Sequence, residues 1–109
     1  MGYYTAYTLT IYENNSDKSD EEIIEHLREL YHEVDLCLDG YGYCNDSAKW
    51  YDHRDDMQNF SKLYPDTLFL LEGDGEDSTD IWKLYVKNGK SQLCHVRLTF
   101  DEFDESKLQ

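Results

Sequence analysis

The stretch that decides the fold runs from Ala48 to Lys90 and reads AKWYDHRDDMQNFSKLYPDTLFLLEGDGEDSTDIWKLYVKNGK. Within it, Met57, Phe60 and Leu63 or Tyr64 recur at helical spacing from a start at Asp52 or His53. Pro65 ends that helix, because proline disfavours helical backbone at the residue before it. Thr67 to Leu71, TLFLL, is apolar without alternation, the pattern of a central strand covered on both faces. Residues 72–80, EGDGEDSTD, read as an exposed acidic loop between strands. Ile81 to Lys87 resumes a strand pattern. Lys87-Asn88-Gly89-Lys90 then marks a two-residue hairpin, since Asn-Gly accepts the positive φ angles of a type I′ turn.

The flanking segments extend this frame. Residues 3–12, YYTAYTLTIY, alternate, with Tyr7, Leu9 and Ile11 on one face of a half-buried strand. A polar loop over 13–18 precedes Ser19-Asp20-Glu21-Glu22, a capping box that starts a helix reaching about Val34. Ile23, Leu27, Leu30, Tyr31 and Val34 form its apolar stripe. Residues 35–47, DLCLDGYGYCNDS, have no clear pattern beyond an Asp39-Gly40 turn and a short strand at Leu36 and Leu38. Lys49-Trp50-Tyr51 is another short strand or an anchor, with Trp50 filling the core.

Leu93 to Phe100 is the return strand of the hairpin. Its register places Val86 opposite Ser91, Leu84 opposite Leu93 and Trp82 opposite His95. Ile81, Tyr85, Cys94, Val96, Leu98 and Phe100 share the other face, so the pattern leaves open which face meets the helices. Phe103 and Leu108 would dock the tail as a short helix.

Strand, helix, short strand, helix and three strands joined by short turns indicate an α+β fold. We expect an antiparallel sheet of 4–5 strands with two helices packed on one face, of the ferredoxin-like kind. At 109 residues the chain is one domain, 1–109, long enough to bury a core without disulfides or metal.

Ala48-Lys49-Trp50 before a helix, then Ser61, Tyr64-Pro65-Asp66, Leu68-Phe69-Leu70 and an acidic glycine turn resemble the ferredoxin-like domain of YubB-like proteins. The resemblance covers residues 48–90. It implies a protein of phages or plasmids and a fold, with no catalytic residue to carry over. The N-terminal helix is more acidic than that group's.

The chain holds 24 acidic against 10 basic residues, a net charge of −14. Small soluble domains typically carry a magnitude of about 2–8. The excess self-repels, and it opposes direct binding of nucleic acid or an anionic membrane, which attract basic surfaces. Fifteen per cent aromatic content, including ten tyrosines, argues for a folded chain. Cys37, Cys44 and Cys94 lack CxxC spacing and read as reduced thiols of a cytoplasmic protein, in the host cytoplasm if phage-encoded. No signal peptide or membrane-length apolar run is expected.

Candidate chemistry is sparse. A calcium loop counted from Glu72 fails, because position 6 is Asp77 rather than glycine and position 12 is Lys83 rather than glutamate. The cysteines and His26, His32, His53 and His95 lack zinc spacing. Pairing of Cys44 or Cys94 with His53 or His95 has no local signature, and no phosphate-binding glycine loop occurs. No cofactor is expected, and the protein is read as non-enzymatic. Metal-assisted hydrolysis through residues 72–80 is the enzymatic alternative.

The acidic surface remains. Glu21, Glu25, Glu29 and Glu33 lie four apart, a repeat of about 6 Å along a helix. With Glu72, Asp74, Glu76, Asp77 and Asp80 they are the expected partner-binding residues. Such rows can imitate phosphate rows of nucleic acid. The leading expectation is a phage or mobile-element protein of the anti-CRISPR, DNA-mimic type. It would inhibit a host nucleic-acid-binding protein by occupying its basic groove. The alternative is an interaction or dimerisation module whose charge serves solubility only.

Overall fold

A computed structural model describes residues 3–44 and 47–109. Asn45 and Asp46, in the stretch without a readable pattern, lie outside the described residues. The fold is α+β, with a four-stranded antiparallel sheet and helices, as expected. The strands are β1 (Thr5–Asn14), β2 (Thr67–Gly75), β3 (Ile81–Lys87) and β4 (Lys90–His95), arranged in that order across the sheet. Three helices, α1 (Asp20–Leu30), α2 (His32–Cys37) and α3 (His53–Ser61), occupy the long connection between β1 and β2.

The pairings place three apolar rows on one sheet face. Leu9, Leu71, Leu84 and Leu93 stand in one row, flanked by Ile11–Phe69–Val86 and Tyr7–Gly73–Trp82. Ile23, Ile24 and Leu27 of α1, Val34 and Cys37 of α2, and Met57 and Phe60 of α3 complete a single core against that face. Trp50 is fully buried, as expected, and its Nε1 donates to Asp56 Oδ2 at 2.8 Å. All three expected β3–β4 pairs form, and Asn88 and Gly89 adopt φ of 47° and 79° at the turn. Tertiary packing settles the face: helices cover Trp82, Leu84 and Val86, leaving Ile81, Tyr85 and Cys94 opposite.

Several expectations need correction. The first helix stops at Leu30. Tyr31 is extended, at φ −125° and ψ 111°, and α2 restarts at His32. With this break Leu30 is exposed, while Val34, Cys37 and Leu38 lie in the core. The short strand expected at Leu36 and Leu38 is therefore the end of α2 and the residue after it. The second helix ends at Ser61, short of Pro65, and tight turns carry the chain on through Tyr64.

The unreadable stretch turns out to cover the outer edge of β1. Leu9 N–H donates to Gly42 O, Cys44 N–H to Tyr7 O, and Thr5 and Ala48 exchange a reciprocal pair. No comparable backbone bonds reach the outer edge of β4 among the described residues. The return strand stops at His95, because β3 begins at Ile81 and offers no partner beyond Val96. From Arg97 onward the chain is exposed. A 3-10 turn forms at Glu105–Lys107, but Phe103 and Leu108 stay exposed and do not dock it.

Candidate functional site: an acidic surface with a tyrosine-lined cleft

The nine acidic residues singled out by sequence fall into two groups. Glu21, Glu25 and Glu29 form an exposed row on α1. Glu33 does not continue it, because the break at Tyr31 places it on α2. The row is capped at its start: Ser19 Oγ accepts from Glu22 N–H, and Glu22 Oε1 accepts from Ser19 N–H. Its middle is partly neutralised by Arg28, which bonds Glu25 at 2.9 Å and Asp35 at 3.1 Å across the helix break.

The second group differs from the loop expected over 72–80. Strand β2 runs through Gly75, so Glu72 and Asp74 are strand residues opposite Lys83 and Ile81. Their side chains rise from the face that the helices leave uncovered. Only residues 76–80 form the turn. Asp77 Oδ1 accepts from the Thr79 N–H and hydroxyl, and these bonds hold its carboxyl below the usual carboxylate range. The Asp80 N–H donates to Asp77 O, and the Gly75 N–H to Asp80 O.

Tyrosines tie this turn to the N-terminal segment. The Tyr3 hydroxyl donates to Asp80 Oδ2 at 2.7 Å and accepts from Asp77 N–H at 3.1 Å. Tyr3 N–H donates to Tyr51 Oη, and Tyr4 N–H to Glu76 Oε1. Beside them opens a cleft of about 280 Å³, with Tyr3, Tyr51, His53, Asp80, Trp82 and His95 on its walls. Its base is aromatic core: His53 stacks on Trp82 at 4.8 Å, and Tyr7 meets Trp50 edge-on. Aromatic walls beside a carboxylate suit a guanidinium or ammonium group.

The 76–80 turn lies at one end of the sheet, and α1 starts at the other end. Thr5 pairs with Gly75 beside the turn, and Asn14 pairs with Thr67 at the far end. Asn14 Nδ2 donates to Asp20 Oδ1, fixing the start of α1 there. Glu21 lies beside Leu9, Thr10 and Ile11, and Glu25 lies beside Gly40, so the glutamate row runs alongside the middle of β1.

The other candidates are not assembled. No group of three or more His, Cys, Asp or Glu side chains is placed to hold a metal ion among the described residues. All three cysteines are free thiols. Burial pushes the Cys37 thiol up to about 12, with Cys44 adding to it. His53 Nδ1 is engaged with Trp50 O at 2.8 Å, and His26 Nδ1 with Tyr64 Oη at 2.6 Å. No helix of the described residues is long and apolar enough to cross a membrane.

The cleft escaped the sequence reading, because its walls come from four separated segments. No family model, curated protein or solved structure matches this chain.

Proposed function

We propose that this protein is a non-catalytic acidic binder of a phage or other mobile element that occupies the basic nucleic-acid groove of a host protein. One observation carries the reading. Among the described residues only two ion pairs form, both on Arg28, although acidic residues outnumber basic ones 24 to 10. The fold does not use most of this charge, and self-repulsion from it costs stability. Two exposed anionic clusters, one along α1 and one at the 76–80 turn, would stand in for phosphate positions of a duplex. The cleft at Tyr3, Tyr51 and Asp80 would take a lysine or arginine from the groove wall.

A charged rim of this kind accelerates association and makes affinity fall with salt. The test is capture of host proteins followed by salt titration of the complex. The reading requires a partner with a basic groove, affinity that falls with ionic strength, and loss of inhibition in E21K/E25K/E29K with the fold retained. A partner without such a groove, or a complex indifferent to salt, rejects it. Inhibition unaffected by the triple reversal would instead leave the charge a solubility device.

A further inference from the structure

From Ile81 to Phe100 this acidic chain contains no acidic side chain, and it carries Lys83, Lys87, Lys90 and Arg97. Two more bases border the same margin from α3. Arg54 Nε donates to Ser91 Oγ at 3.0 Å, and the Lys62 side chain lies against Gly89. Six of the ten Lys and Arg residues thus gather around the β3–β4 hairpin. On the uncovered face at its turn lies a groove of about 490 Å³ lined by Pro65, Leu68 and Tyr85, with Lys87, Lys90 and Gln92 at its rim. This groove is apolar, cationic at its edge, and adjacent to the one outer strand whose backbone is unpaired among the described residues.

The same chain carries the complementary segment. Residues 100–105 read FDEFDE, two aromatics alternating with four acids. Phe100 is fully exposed, Phe103 is 80% exposed and Leu98 is 71% exposed. Between Arg97 and Asp104 the backbone makes no backbone hydrogen bond except that Asp104 O caps the 3-10 turn.

We infer that this protein forms a reciprocal dimer in which the Arg97–Glu105 segment of each copy lies along the β4 margin of the other. Phe100 and Phe103 fill the groove, and Asp101, Glu102, Asp104 and Glu105 face Lys87 and Lys90. A two-fold arrangement makes both contacts identical and closes the assembly. Pairing with an exposed strand edge is a common mode of segment recognition.

A second copy fits better than the chain's own tail. Lys90 is six residues from Val96, about 20 Å along the strand. Phe100 is four residues beyond Val96 and reaches at most about 14 Å, and Phe103, seven beyond, at most about 25 Å, before any residue is spent on reversing direction, so the chain's own tail cannot seat both phenylalanines beside Lys90. The repulsion between two anionic bodies is screened beyond about 8 Å at physiological salt, whereas the lysine–carboxylate contacts are closer than that.

The test is sedimentation velocity of the full chain over a range of concentrations and salt. The wild type should dimerise, and more weakly as salt rises. F100A/F103A removes two exposed side chains that lie outside the core, so it should be folded and monomeric. K87E/K90E and D101K/E102K/D104K/E105K should each be monomeric alone. Mixed, they should form a heterodimer, because each groove then meets a tail of opposite charge. A wild type that stays monomeric, a dimer that survives F100A/F103A, or a mixture that fails to associate overturns the inference. These outcomes are separate from inhibition of a host protein, which depends on Glu21, Glu25 and Glu29.

Discussion

The indole of Trp82 lies directly over Gly73, its partner across β2 and β3, in the space that a Cβ on residue 73 would occupy. His53 stacks on the same ring at an interplanar angle of 15°. A glycine inside the acidic run therefore serves packing rather than flexibility. Gly73→Ala should overpack this site and cost about 1–3 kcal/mol, read as a lower urea midpoint. Unchanged stability would mean that Trp82 has room to move aside.

Trp50 anchors the segment before α3 by a buried ring and one hydrogen bond. Asp56→Ala strands the indole N–H in the core, at an expected cost of about 1–3 kcal/mol. Trp50→Ala loses the ring as well and should cost about 3–5 kcal/mol. Chemical denaturation of both variants checks the order, and equal losses would show that the hydrogen bond dominates.

Ser19 and Glu22 satisfy two N–H groups at the start of α1 reciprocally. Ser19→Ala should destabilise the protein by about 0.5–2 kcal/mol, and hydrogen exchange should quicken first in the opening turn of α1. Uniform exchange changes across the sheet would contradict a local cap.

Acid should weaken the turns at residues 39–43 and 76–80. Asp39 accepts from the Tyr43 and Tyr41 N–H groups, and these bonds hold its carboxyl below the usual range. Asp77 is lowered in the same direction by Thr79. A carboxyl with a depressed folded pKa binds fewer protons when folded than when unfolded. Its stabilisation is therefore complete above the ordinary carboxylate value, about 3.9, and is lost as pH falls through the depressed folded value. Asp39→Asn keeps an acceptor but cannot titrate, so its urea midpoint should fall less steeply than wild type in that window. Parallel curves would remove Asp39 from the account.

Cys37 is buried and its thiol is pushed up to about 12, whereas Cys94 is half-buried on the uncovered face of β4. Only the thiolate reacts with alkylating agents. Iodoacetamide at neutral pH should therefore label Cys94 well before Cys37, with Cys37 reacting only on unfolding. Mass spectrometry of timed digests checks the order.

Much of the architecture was legible because it is local. The β3–β4 register followed from Asn88-Gly89, since a two-residue turn leaves one pairing. The start of α1 followed from Ser19 and Glu22. The burial of Trp50 and the central place of β2 were likewise readable from apolar content.

The errors arose where a pattern had two solutions. Leu30 and Tyr31 continue a helical stripe on paper, but the chain turns extended at Tyr31, and Leu30 is left exposed while Val34 and Cys37 of α2 enter the core. Leu98 and Phe100 alternate like a strand, yet a strand needs a partner, and β3 supplies none past Ile81.

From its residues alone, this chain could be read as an α+β domain with a pronounced anionic bias, because turn chemistry, periodicity and charge are properties of neighbours in sequence. Three things needed the tertiary structure: which face of the hairpin the helices cover, where the carboxylates gather, and that Arg54 and Lys62 join the hairpin's own bases. Each depends on segments far apart in the chain being brought together, and no local preference encodes that.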